Sequence, residues 1–175
     1  MNYLKDNPTG VDVPIKRIQK RMYDTLVSLW QVSNYDAYGR VYKNMKLERK
    51  MPEHYIGEGE YKEVLLDDTK DAISFFSIHD SASVNGNILN TGCDIVFSIN
   101  LKAASSNTDR TDAEVQRDVF NVLNRFNGVF NIATIEIGLT NVYSDYRGVS
   151  EHFKDMQDYH HFKIKGNINY TNNNC

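Results

Sequence analysis

Apolar and polar residues alternate one for one along four stretches of this chain, and a period of two commits such stretches to β-strands. The clearest covers residues 93–102, where Cys93, Ile95, Phe97, Ile99 and Leu101 alternate with Asp94, Val96, Ser98, Asn100 and Lys102. One face is apolar and the other mostly polar, the pattern of a strand with one side packed on a core. Residues 41–51 set Val41, Met45, Leu47 and Met51 against Tyr42, Asn44, Lys46, Glu48 and Lys50, and Pro52 is expected to end that strand. Residues 132–142 set Ile135, Ile137 and Leu139 against Thr134, Glu136 and Gly138, and residues 160–170 set Phe162, Ile164, Ile168 and Tyr170 against Lys163, Lys165, Asn167 and Asn169. Shorter strands are expected near 61–66 and 72–79.

Helical spacing occurs twice. Asp12 stands near a cap and Pro14 in a first turn, and Ile15, Ile18, Met22, Leu26 and Leu29 then recur at intervals of three and four, forming one buried stripe. Lys16, Arg17, Lys20 and Arg21 gather on another face, either a solvated surface or a contact with an acidic partner or DNA. The second helix, 111–127, opens on a Thr111/Glu114 capping box, buries Val115, Val119, Val122, Leu123 and Phe126, and stops at Asn127-Gly128. Several strands with only two helices predict an α+β fold, a mostly antiparallel sheet flanked by two helices. The 175 residues suit one domain. It is expected over 14–170, after an irregular arm at 1–13 and before a polar tail at 171–175.

Functional classes are narrowed mainly by what these residues do not assemble. The net charge of −3 comes from 20 basic and 23 acidic residues spread along the chain, which is not the footprint of a nucleic-acid binder. No apolar run is long enough to span a membrane, no secretory leader is apparent, and two cysteines, Cys93 and Cys175, make no disulfide framework. His79-Asp80-Ser81 holds the residue types of a hydrolase triad, but neighbours in sequence cannot adopt its geometry. Gly57-x-Gly59 lacks the Gly-Lys-Ser/Thr of a phosphate loop. The strongest chemical candidate is 151–161, rich in His and Asp, where His152, Asp155 and Asp158 can share a helical face suited to a divalent ion. His160 and His161 begin a strand and point to opposite faces. The cluster is read as a solvated polar loop, with no catalytic residue, metal or cofactor assigned.

Three connections, 52–60, 80–92 and 143–159, exceed ordinary hairpin length, and long connections in compact domains tend to carry function. The second contains an Asn85-Gly86 turn signal. The apolar and aromatic residues they display, Tyr55, Ile56, Val84, Ile88, Leu89, Tyr143, Tyr146 and Phe153, are the candidate interface residues. Strands 41–51 and 160–170 are expected at sheet edges, with Lys43, Lys46, Arg49, Lys50, Lys163 and Lys165 either guarding them or standing as ordinary solvated cations.

The element order resembles the tail-terminator and tail-completion proteins of tailed bacteriophages. It comprises a leading helix, a strand, a loop-rich pair ending in the Cys93–Leu101 strand, the capped helix, Ile135-Glu136-Ile137-Gly138-Leu139 and the closing strand around Phe162-Lys163-Ile164. The 19 asparagines and 11 tyrosines also resemble the composition of crAss-like phages, whose necks stack several ring proteins. The resemblance implies a structural subunit of the virion neck or tail, made in the host cytoplasm. It further implies a hexameric or dodecameric ring of copies around the DNA channel, touching portal, connector or tail neighbours. A non-viral interaction or adaptor domain, and a small metal-dependent enzyme built on 151–161, are the alternatives.

Overall fold

The computed structural model describes residues 1–46, 49–64, 67–104, 111–147 and 158–171. Eight strands form one sheet: β1 (Asn2–Tyr3), β2 (Tyr35–Lys46), β3 (Arg49–Gly57), β4 (Glu60–Glu63), β5 (Ala72–Asn85), β6 (Ile88–Asn100), β7 (Phe130–Ile137) and β8 (Tyr159–Thr171). Across the sheet the order is β4-β3-β2-β5-β6-β8-β7, with β1 added beside the first half of β2. Among the described residues, only β1–β2 and β2–β5 run parallel. Helices α1 (Asp12–Trp30) and α2 (Asp112–Leu123) cover one face, and a single turn of helix, α3 (Leu139–Val142), lies at the end of β7. The fold is α+β with a mostly antiparallel sheet, as the periodicities predict.

The helix-bearing face holds the larger core. Ile15, Ile18, Met22, Leu26 and Trp30 of α1 pack with Val115, Val119, Val122 and Leu123 of α2 over Phe76, Cys93, Ile95, Phe97, Ile99, Phe162 and Ile164. Phe97 and Phe162 stack with centroids 4.9 Å apart across the β6–β8 pair. Trp30, and not Leu29, completes the α1 stripe: Leu29 is 41% exposed, whereas the Trp30 ring is buried and its Nε1 donates to Asp118 Oδ2 of α2 at 3.1 Å. The Thr111/Glu114 capping box forms as expected, although α2 stops at Leu123 and Phe126 belongs to a following 3₁₀ turn.

Several connections differ from expectation. The stretch 41–51 is two strands, since β2 and β3 pair antiparallel from Val41↔His54 to Lys46↔Arg49. Pro52 does not end β3. Its carbonyl accepts from Val64 N on the β4 side, so its missing N–H faces away from β2 and removes no bond of that pair. The 52–60 loop is the β3–β4 hairpin, turned through Gly57, Glu58 and Gly59, all at positive φ. Residues 80–92 are likewise a hairpin: β5 and β6 pair as far as Asn85↔Ile88 around Gly86-Asn87, with Gly86 at φ 59°. The leading arm is structured, with Asn2 and Tyr3 beside Ala37 and Tyr38. The buried Gln19 amide donates to Asn2 Oδ1, Tyr3 O and Ala37 O, each at 3.0 Å, and so ties arm, helix and sheet together.

The edges also differ from expectation. Strand β2 has partners on both sides and β8 lies between β6 and β7, so neither is an edge; β4 and β7 are. Lys163 and Lys165 therefore guard no edge: Lys163 is 3% exposed and pairs with Glu136, as does Lys165. Lys43 pairs with Asp145.

Candidate functional site

The second sheet face divides into an apolar part and a charged part. In the apolar part Ile73, Phe75 and Val96 are covered by Val142, the last residue of α3, and by Tyr143 and Tyr146 just after it. Tyr143 and Tyr146 are 6% and 7% exposed, which removes them from the interface candidates. Their rings cover a sheet face that, among the described residues, no long helix covers. Tyr143 OH and His161 Nδ1 each share a hydrogen bond with Ser98 Oγ, at 2.8 and 2.9 Å. Burial holds the Tyr143 hydroxyl well above its ordinary range. Burial, with His160 adding to it, pushes His161 down to about 4. On the opposite face His160 meets Gln116 of α2, Nε2 to Nε2, at 2.8 Å; the amide can only donate, so the imidazole nitrogen accepts. The two histidines thus face opposite ways, as strand alternation predicts.

The charged part centres on Asp94 and Lys163, 2% and 3% exposed. Lys163 Nζ lies 2.9 Å from Glu136 Oε2 and 3.9 Å from Asp94 Oδ2, and donates to Asn141 O at 3.2 Å. His79 Nε2 lies 3.3 Å from Asp94 Oδ1. Its ring rests over Gly92, where a Cβ would come within 2.3 Å of Nδ1. Hydrogen bonds from Lys163 and Lys165 hold Glu136 below the usual carboxylate range. Opposite charges answer one another here, and the lysine ammonium is satisfied within the fold. The network sets each buried charge against an opposite one. His79, Asp80 and Ser81 make no triad, since the acid beside His79 is Asp94. Register across β5, β6, β8 and β7 assembles this network, which no local motif announces.

Of the remaining interface candidates, Tyr55, Ile56, Val84 and Ile88 are 40%, 58%, 69% and 50% exposed, while Leu89 is half-buried. Phe153, His152 and Asp155 lie outside the described residues, and among the described ones no cluster of His, Cys, Asp or Glu suits a metal ion. Of the basic face, Arg17, Lys20 and Arg21 are exposed and Lys16 is half-buried. Sequence reading missed the other exposed apolar group. Ile135 and Ile137 on edge strand β7 are 37% and 48% exposed, and Phe120 on α2 is 40% exposed. Their alternation signalled a strand, but nothing local distinguishes an edge from a centre.

Apolar surface therefore lies at both ends of the sheet. At one end Tyr42, Tyr55 and Tyr61 cluster, with ring centroids 5.5 and 5.2 Å from Tyr61, and the Arg40 guanidinium sits 4.9 Å above Tyr42. Beside them a groove of about 410 Å³ opens between the leading arm, α1 and β2–β3. At the other end are β7 and Phe120. In class the chain is an α+β protein whose open sheet is exposed at its two edges and closed over both faces of its centre. No protein-family model matches it, and no curated protein matches it. Among the described residues, no helix is long and apolar enough to cross a membrane.

Proposed function

We propose that this chain is a structural subunit that works by assembling with copies of itself, joined through its sheet edges into a ring. The observation that carries this reading is the pair of open edges, β4 and β7, at opposite ends of one sheet, each flanked by exposed apolar side chains. An open edge is a template for another strand, and two different edges on one molecule favour a head-to-tail contact. The resemblance to tail-terminator and tail-completion proteins supports a place for the ring in the neck or tail of a bacteriophage virion. There it would surround the DNA channel, touch portal, connector or tail neighbours, and act without catalysis. Hexameric or dodecameric closure belongs to the same resemblance.

Sedimentation velocity and negative-stain imaging of the purified chain test the reading. A discrete species of six or twelve copies with a central opening is the expected result. A monomer that persists at high micromolar concentration, alone and with virion neck proteins, would sink it.

A further inference from the structure

We propose that the groove beside the leading arm binds a mononucleotide, with its base against the tyrosine rings of the sheet and its phosphate between Lys16 and Arg40. The groove encloses about 410 Å³, within the usual range of small-molecule sites. Arg40 and Tyr42 of β2 and Tyr55 of β3 form its sheet wall, Asp12 and Lys16 of α1 its helix wall, and the leading arm closes the third side.

The charges lining it do not cancel. Lys5 of the arm pairs with Asp12. Lys16 and Arg40 are half-buried and, among the described residues, make no ion pair, and the other acid present is the exposed Asp6. Half-buried cations are screened less than cations in open water, so an anion reaching both is held more firmly than at the outer surface. Phosphate suits this pair, because a guanidinium offers it parallel N–H donors and an ammonium a compact charge.

A buried carboxylate oxygen asks for the opposite partner. Asp12 is 7% exposed, Lys5 engages its Oδ2, and its Oδ1 has no hydrogen-bond partner. A ligand carrying an N–H donor as well as an anion answers both demands. The rings supply the third element. The Arg40 guanidinium lies 4.9 Å above Tyr42, so a cation and an aromatic face meet on one wall, and Tyr55 beside them is 40% exposed. Every nucleobase has a flat face that stacks on such rings. A bare anion would use the cations alone and a neutral aromatic the rings alone; a base with an exocyclic amine, joined to a phosphate, uses all three. Here side chains hold the phosphate, so no glycine-rich loop is required.

This inference does not rest on the self-assembly reading and applies to a monomer or a ring. Isothermal titration of the full chain with adenosine monophosphate should show saturable binding with Kd below about 1 mM. Adenosine, which lacks the phosphate, and ribose phosphate, which lacks the base, should each bind about tenfold more weakly or worse. Lys16→Gln and Arg40→Gln should each weaken the nucleotide by about tenfold, whereas Arg17→Gln, the same charge change outside the groove, should leave it unchanged. Photolabelling of wild type with azido-adenosine monophosphate should mark Tyr42 or Tyr55 in peptide mass spectra, a readout independent of how the variants fold. The inference is overturned by no saturable binding, by equal affinity for adenosine or inorganic phosphate, by variants that bind like wild type, or by a label placed elsewhere. Short single-stranded DNA binding far more tightly than the mononucleotide would also overturn it, by making nucleic acid the occupant.

Discussion

His161 is where burial and titration meet most directly. Its folded pKa of about 4 lies below the ordinary value of 6.5, so the unfolded chain takes up a proton first as pH falls. Stability from this group is fully present above about pH 6.5 and is lost as pH drops toward 4, to the extent of about 3 kcal/mol. Burial lowers His54 and His160 too, which steepens the same slope. Urea midpoints between pH 4 and 7 should rise with pH, and His161→Gln should flatten the rise. Two glycines offer a comparison at the same scale. A Cβ at Gly166 would meet the Asn131 carbonyl at 2.5 Å and the Phe130 ring at 2.7 Å, so backbone must move. At Gly92 it would meet only the His79 ring, whose side chain is 43% exposed and can swing outward at the cost of its contact with Asp94. Gly166→Ala should cost about 3 kcal/mol and Gly92→Ala under about 1 kcal/mol, read from chemical denaturation.

At the scale of elements, what was legible in sequence was what is local. The capping box needs two residues three apart, and it forms; Thr111→Ala should cost about 1 kcal/mol, measured as a lowered thermal midpoint. Strand alternation is equally local, and β6 and β8 take the expected faces. Pairing is not local. Asp94 meets Lys163 because β6 and β8 align Asp94↔Lys165 and Val96↔Lys163, a register that no stretch of either strand encodes alone. Strands 41–51 and 160–170 were expected at edges for the same reason: order along the chain does not state order across the sheet. Residues 80–92 carried a correct turn signal at Asn85-Gly86, yet their polar composition concealed two strands, one solvated along β5 and the other half-buried along β6. Tyr143 and Tyr146 illustrate the converse, aromatic residues in a long connection that fill a core instead of facing a partner.

For the whole molecule, the sheet order predicts where stability is concentrated. Strand β6 pairs along nearly all its length on both sides, while β4 is four residues long and has one partner. Hydrogen exchange should be slowest for Ile95–Ile99 and fastest, among strands, for Glu60–Glu63. If copies join through their edges, amides of β7 and β4 should gain protection with concentration while β6 stays unchanged. The β5–β6 hairpin gives this a further aspect. Residues 79–88 are exposed without interruption, so the hairpin end stands clear of the core as a tongue bearing Val84 and Ile88. Every copy in a head-to-tail ring would point its tongue along the same direction of the axis. Such a ring has two unlike rims, with the tongues all on one of them, and can be threaded onto a neighbour in only one orientation.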